Sequence, residues 1–432
     1  MKRPAAYRIF KDLVRARPSE VVAILWSFGY FFCLLCGYYI LRPVRDEMGI
    51  QAGVGNLHWL FTGTFVTMLA VVPVFGWISS RFPRRQFLPA TYLFFAANLM
   101  VFFALFRSGI APTETARAFF IWLSVFNLFV ISVFWSFMAD LFSNAQARRL
   151  YGFIAAGGST GAIAGPLITT KMAPLLGPTG LLPVSACFLL AAVVCIWRLS
   201  AWSRRPERRT SGSRIDTRQP IGGGTFGGIS LLLRSEYLLG IALYMVLFTL
   251  LSTFLYFQQA FIISETISDP GERTALFALI DLVVNALTLI GQLLIVGRII
   301  GLFGVTVTLI LMPIVAVFGF FVLGLFPTLA VLILFGSIRR AGEYAISKPA
   351  REILFTVISR EEKYKVKNFI DTAVYRTGDL VAVWCIRWIS GIGMSGIALV
   401  CVPIAIVWAG VAMWIGREYQ RLDAKADLTI AS

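Results

Sequence analysis

The sequence predicts an all-α membrane protein of twelve transmembrane helices arranged as two six-helix bundles. Three observations carry this. The 432-residue chain is 58% hydrophobic and only 14% charged, against about 25% charged in an ordinary soluble domain. Apolar runs of about 20 residues recur along it, each long enough to cross a bilayer as a helix. One long polar stretch interrupts them half-way, and its flanks carry equal numbers of runs. The mean hydropathy of +0.79 agrees with a chain that keeps most of its surface in lipid.

The runs lie at about 21–42, 57–79, 87–107, 117–141, 152–172 and 180–200, then 237–262, 274–298, 302–326, 328–350, 371–393 and 395–416. Alternating ten-residue strands, the mark of a β-barrel, are missing from the pattern. The first run is too long for a signal-peptide core and has no small-residue cleavage site after it, so it is expected to remain as a span. Between runs six and seven, the basic stretch after Trp202 passes into Gly222-Gly-Gly-Thr-Phe-Gly-Gly228. Such composition makes a flexible linker. The expected organisation is therefore residues 1–200 as an N-terminal bundle, 201–235 as a cytoplasmic linker and 236–432 as a C-terminal bundle.

The formal net charge of +17 raises the question of nucleic acid, and its distribution answers it. Lys2, Arg3, Arg8, Lys11, Arg15 and Arg17 precede the first run. Arg81, Arg84 and Arg85 follow the second, Arg148 and Arg149 the fourth, and six arginines from Arg204 to Arg218 the sixth. Lys363, Lys365 and Lys367 lie between runs ten and eleven, and Arg417 and Arg421 after the twelfth. The intervening loops are nearly free of Lys and Arg. Positive charge collects on the cytoplasmic side of a membrane protein, so both termini are expected in the cytoplasm and the chain in an inner (plasma) membrane. The charge then needs no nucleic-acid partner. The expected partners are lipid and a small-molecule anion, with the protein a monomer.

An internal repeat supports the six-plus-six division. Gly76-Trp-Ile-Ser-Ser-Arg-Phe-Pro83 after run two and Gly297-Arg-Ile-Ile-Gly-Leu-Phe-Gly304 after run eight share one pattern at equivalent places. Parallel-related halves of this kind make the major facilitator architecture. Gly76, Arg81, Arg84 and Arg85 also fit the G-x-x-x-D-R-x-G-R-[RK] loop of that superfamily, with Ser80 in place of the acid and Pro83 in place of the glycine. In run five, Gly157, Gly161 and Gly165 stand four apart before Pro166, which suits close approach of a neighbouring helix.

Enzyme chemistry has little to stand on. His58, the single histidine, is expected in an outer loop, with no second histidine for a metal and no nucleophile beside it. Phosphate-cradle and cofactor motifs are missing. The six cysteines all lie in apolar runs, where Cys33 and Cys36 read as packing residues rather than a redox pair. No catalytic residue, metal or cofactor is expected.

What stands out is charge inside the apolar runs. Arg42, Arg45, Asp46 and Glu47 close the first run; Arg339, Arg340 and Glu343 sit twelve to sixteen residues into the tenth; Arg376, Asp379 and Arg387 lie along the eleventh. Asp281 stands in run eight with Asn285 one turn on. An ionised side chain at mid-bilayer costs about 2.5–3.5 kcal/mol on insertion scales. The guanidinium presents five donors in a planar fork that fits phosphate or carboxylate. The expected solute-binding residues are Arg42, Arg45, Arg339, Arg340, Tyr344 and Arg376, with Asp46, Glu343, Asp379 and Asp281 coupling or balancing charge. Two other roles stay open: interhelical salt bridges, and snorkelling of Arg42 and Arg45 to the interface.

Several of these residues carry a family resemblance. Ile40-Leu-Arg42-Pro-Val-Arg45-Asp46 resembles the L-R-D-x-K-D signature of the ATP:ADP antiporters of plastids and intracellular bacterial parasites. Tyr344 to Asp371 is similar to that family's Y-S-x-x-x-P-x-K-E…K-V-K-G-K-x-x-I-D block, with Pro349, Arg351, Glu352, Lys363, Lys365, Lys367, Ile370 and Asp371 in register. Arg376 and Gly378 fit the R-x-G-K beyond it; Phe134, Trp135 and Tyr151 fit earlier positions.

The resemblance implies a twelve-span facilitator-type carrier that exchanges nucleotides, ATP for ADP in the best-known members. The family's span-one lysine maps to Arg45, its late lysine among Lys363, Lys365 and Lys367, and its lysine after R-x-G to Asp379. The span-four acid has no counterpart near Leu123 to Asn127, and only polar residues stand around Thr253 to Gln259, where a further acid is expected. These departures mark a divergent branch. They leave open another phosphate-bearing or carboxylated anion, carried by exchange or with a proton, and a lipid or lysolipid carrier on the same fold.

Overall fold

The computed structural model describes residues 17, 20–81, 84–203, 227–358, 366–367 and 369–431. Those residues form helices and short turns, with no strand among them. In chain order the helices are α1 (Val21–Gln51), α2 (Leu57–Arg81), α3 (Arg84–Ser108), α4 (Pro112–Leu141), α5 (Asn144–Ser203) and α6 (Gly227–Arg234). They continue with α7 (Glu236–Thr266), α8 (Pro270–Ile290), α9 (Val296–Leu325), α10 (Leu329–Gly342), α11 (Lys348–Leu354), α12 (Tyr375–Ile389) and α13 (Gly393–Ala431). Wide π turns at Gly291–Ile295, Glu343–Ser347 and Ile370–Val374 interrupt the second half.

Eight helical stretches among the described residues are long and apolar enough to cross a bilayer, against the twelve runs expected. Two physical causes account for the difference. Arg149–Ser203 and Pro270–Leu325 are 55 and 56 residues long, each more than twice the length one crossing needs. Each holds a sharp break, at Gly177 (φ 70°, ψ 170°) and Gly304 (φ 74°, ψ 176°), in a backbone region that only glycine enters without strain. The first break falls between expected runs five and six, and the second just inside the start of run nine. The runs near 328–350 and 371–393 are helical too, but π turns and embedded charges divide them into α10, α11 and α12.

The chain forms two compact units: Met1–Ala52 with Val66–Asp216 and Ile267–Leu282, and Gly53–Phe65 with Thr217–Thr266 and Val283–Ser432. The expected linker falls mostly at residues 204–226, outside the described residues, as do Lys363 and Lys365.

In the first unit α1 packs against α5. A Cβ at Gly157 or Gly165 would lie 2.5 or 2.6 Å from the carbonyl oxygen of Phe28 or Cys36, and one at Gly161 would strike that of Phe32. The glycine spacing thus does what it was expected to do: it lets two helix backbones touch. Tyr30 donates to Tyr92 Oη at 2.8 Å, and Phe31 stacks on Phe134 at 4.1 Å. In the second unit α9 packs on α13, and α7 on α12 and α13. Trp408, Phe320 and Tyr244 are fully buried there. Large apolar side chains such as Leu175, Leu302, Phe318 and Leu334 are exposed, which suits a surface solvated by lipid rather than water.

Candidate functional site

In the first unit the charges gather at the C-terminal third of α1. Pro43 stands within that helix, next to Arg42. Arg42 turns towards the buried Asp281 of α8, with Nε 3.6 Å from Oδ2, and its guanidinium lies 5.8 Å from the Tyr39 ring. Asp281, expected to couple or balance charge, is an ion-pair partner of Arg42. Arg45 donates through Nε and a terminal nitrogen to Asp46 Oδ1, at 3.1 and 2.7 Å, and lies over the ring of Phe120 at 5.1 Å. Both arginines are half-buried, and both face acids.

Sequence reasoning missed the tightest pair in this unit. Glu47, with no exposed surface, accepts from Arg273 Nε and a terminal nitrogen at 2.7 and 2.6 Å. Arg273 further donates to the carbonyls of Ile267 and Ser268, both at 3.1 Å, and Gln51 donates to Glu47 at 3.0 Å. A signal was present: Arg273 lies between runs seven and eight, on the side where positive charge is otherwise scarce.

In the second unit Arg339 of α10 is 6% exposed. A terminal nitrogen donates to Ser252 Oγ of α7 at 2.8 Å, and the guanidinium lies 5.8 Å from the Phe248 ring. Its Nε has no partner among the described residues, and no described carboxylate comes within ion-pair distance. Glu343, expected to couple or balance charge, contacts Arg351 of α11 at 3.3 Å and also interacts electrostatically with Arg339. Burial makes that choice costly to undo, since both partners are shielded from water. Arg340 is half-buried, and Tyr344 is 40% exposed in the adjoining π turn. Turns of this kind widen a helix and recur at functional sites.

Thr253, the residue after Ser252, donates to Asp379 Oδ1 of α12 at 3.0 Å. Asp379 in turn lies 3.7 Å from Arg376. Two consecutive hydroxyl residues of α7 thus draw Arg339 from one neighbour and the Asp379–Arg376 pair from another. The structure brings together these members of the expected set inside one unit. Lys367 is engaged with Glu352 at 2.6 Å. His58 is not in a loop. It occupies the first turn of α2, buried, with its ring 5.1 Å from that of Trp384, because an imidazole flanked by indoles gains more from packing than from solvent. All six cysteines are free thiols. No group of three or more metal-ligating side chains occurs among the described residues.

Buried guanidinium groups on broken helices, in an apolar shell, suit the handling of a charged solute rather than bond chemistry. Comparison with known proteins agrees. The profile of the Major Facilitator Superfamily matches residues 27–341. The chain belongs to that superfamily. It is a multi-pass membrane protein and a secondary transporter. ADP,ATP carrier protein 1 of Chlamydia muridarum is 22% identical, over 83% of this chain and 80% of its own. ADP,ATP carrier protein 2 of Chlamydia pneumoniae is also 22% identical, over 95% and 91%. At such identity this is a divergent relative, as the sequence resemblance implied. Among solved structures, an auto-inhibited POT family peptide transporter aligns with a TM-score of 0.65 at 15% identity, covering 92% of this chain and 96% of that one. The nucleoside transporter NupG aligns at 0.61 and 10%, covering 94% and 99%. These two likenesses establish the fold.

Proposed function

We propose that this transporter exchanges nucleotides across an inner membrane, one phosphate-bearing anion in each direction, in the manner of ATP-for-ADP exchange. Arg339 carries the reading. A guanidinium buried in an apolar unit without a contacting carboxylate is a costly arrangement unless an anion visits it. It lies just before the Tyr344–Gly378 block that resembles the ATP:ADP antiporters, and the similarity to ADP,ATP carrier proteins over most of the chain supports a nucleotide.

In this proposal Arg339, Arg340 and Arg376 of the second unit meet phosphate oxygens, and the exposed face of Tyr344 stacks on the base. Asp46, Asp281, Glu343 and Asp379 balance the arginines between loads. The empty carrier reorients poorly because the acids balance the arginines only in part, Arg339 sharing Glu343 with Arg351 in a low dielectric; bound solute cancels the remaining charge and admits the opposite-facing state. The basic loops support a cytoplasmic position for both termini.

The test is uptake of labelled ADP by vesicles containing the purified protein, with and without nucleotide inside. Exchange predicts uptake only into loaded vesicles. Arg339→Gln is expected to lower it at least about tenfold, since hydrogen bonds to a charged group are worth roughly 1.5–3 kcal/mol. Intact protein that takes up no nucleotide under either condition removes the assignment.

A further inference from the structure

The second unit contains a cavity apart from the arginine cluster, about 560 Å³ in volume, within the range of small-molecule sites. Phe254, Phe257 and Phe261 line it from one stripe of α7, at the spacing that puts side chains on a common helix face. His58 lines it from α2, held edge-on by Trp384. Arg387 of α12, an exposed side chain, supplies the one full charge, and no carboxylate lines the wall. The one full charge on the wall is positive, which favours an apolar body carrying an anionic head over a cation.

Gln258 adds a requirement of its own. It lines the cavity and is 1% exposed. Its Nε2 donates to the Met394 carbonyl at 3.0 Å, which fixes the carboxamide so that Oε1 faces away from that carbonyl. Among the described residues Oε1 accepts no hydrogen bond. A buried acceptor left unmade is unfavourable, and a donor O–H or N–H reaching it would remove that cost. Trp59 and Trp388, neighbours in sequence of His58 and Arg387, are 59% and 83% exposed. Exposed indoles of a membrane protein settle at the headgroup level.

We propose that this cavity binds an amphipathic anion: a phosphate or carboxylate head on Arg387, a hydroxyl or N–H donor to Gln258, and an apolar or aromatic body on the phenylalanine stripe. A phosphatidylglycerol-like lipid, with a monoanionic phosphate and glycerol hydroxyls, meets all three demands. A soluble nucleotide shares the head chemistry. The site is independent of the exchange reaction proposed above, and its test does not read transport.

Gly55 provides the reporter. It lines the cavity, and a Cβ placed on it meets no atom within 4 Å. Gly55→Cys is introduced into the full chain with Cys187→Ser, which removes the exposed native thiol. Labelling by a charged thiosulfonate is then timed with dihexanoyl phosphatidylglycerol, dihexanoyl phosphatidylcholine or ADP present. Phosphatidylglycerol is expected to slow labelling at about a tenth or less of the phosphatidylcholine concentration. Arg387→Gln is expected to erase that preference, Arg387→Lys to retain it in part, and Gln258→Leu to weaken protection. Unchanged elution and melting temperature of each variant show that the fold survives. Protection by ADP and not by phosphatidylglycerol keeps the anion site and assigns it to soluble phosphate. Equal protection by both lipids, or none by phosphatidylglycerol and ADP alike, overturns the proposal.

Discussion

Replacing Arg273 by Met isolates the energetic role of the most deeply buried ion pair. Glu47 has no exposed surface, and Arg273 meets it with two bonds of 2.6 and 2.7 Å. With the guanidinium gone, only the Gln51 amide at 3.0 Å still donates to the carboxylate. An uncompensated charge of this kind costs about 3–5 kcal/mol. Replacing Glu47 by Met as well removes the stranded charge, so the double variant is expected to recover much of the loss. It does not recover everything, because Arg273 also serves the carbonyls of Ile267 and Ser268. Hydrogen bonds to a charged group are worth roughly 1.5–3 kcal/mol, and those carbonyls lose theirs in both variants.

Denaturant or thermal unfolding of the purified protein in detergent measures the cycle, run at low and high salt. A coupling of several kcal/mol, little changed by salt, is expected, since screening acts weakly on a pair out of water. Equal losses in the single and double variants would refute the reasoning. So would an Arg273→Met protein within about 0.5 kcal/mol of the parent, the usual range of an inconsequential surface change.

Two further outcomes follow from the first unit. Gly161→Ala places a methyl against the Phe32 carbonyl, backbone against backbone, so neither side can turn away; a loss of roughly 1–3 kcal/mol is expected in the same melts, with Gly177→Ala failing for a different reason, its φ of 70°. Glu20, at the start of α1, is buried, which raises its carboxyl pKa, yet it accepts from Gln146 and the Arg17 amide and faces Arg149, and the sum holds it below the usual carboxylate range. A carboxyl depressed in the folded state contributes stability above its unfolded pKa and loses it as pH falls through the folded one. The protein should therefore lose less stability between pH 7 and pH 4 in Glu20→Gln than in the parent, a difference read from melting temperatures at the two values.

The organisation of the chain was legible because it rests on one-dimensional signals. Run length, loop charge and the four-residue spacing of Gly157, Gly161 and Gly165 each have a direct physical consequence, and close contact of α1 with α5 followed from the last of them. The count of crossings was less direct. Helix continues through Gly177 and Gly304 on both sides of a sharp break, so runs that the sequence separates merge into one long helical stretch, while charges in α10 and α12 depress the signal where helices do exist.

Pairing was not legible, and the reason is geometric. An arginine in an apolar run announces that something must neutralise it, but which acid does so depends on helix rotation and depth. Glu343 lies one helical turn from Arg339 in sequence, and its contact is Arg351, two turns along. Asp281 finds Arg42 across 239 positions. Arg273 escaped notice because it is outside any run, although its burial is greater than that of Arg42 or Arg45. Subtracting these partners from the list of embedded arginines is informative in itself. Arg42 and Arg45 face acids, Arg376 leans on Asp379, and Arg351 holds Glu343. Arg339 contacts a hydroxyl and an aromatic face, and feels the Glu343 carboxylate only at a distance, because that acid's ion-pair contact goes to Arg351. A folded chain tolerates a buried cation that shares its acid with another arginine only where other packing outweighs the cost, and the helices around Arg339 supply that packing without a contacting carboxylate. The residue most costly to keep is thus the one whose cost a bound anion would relieve.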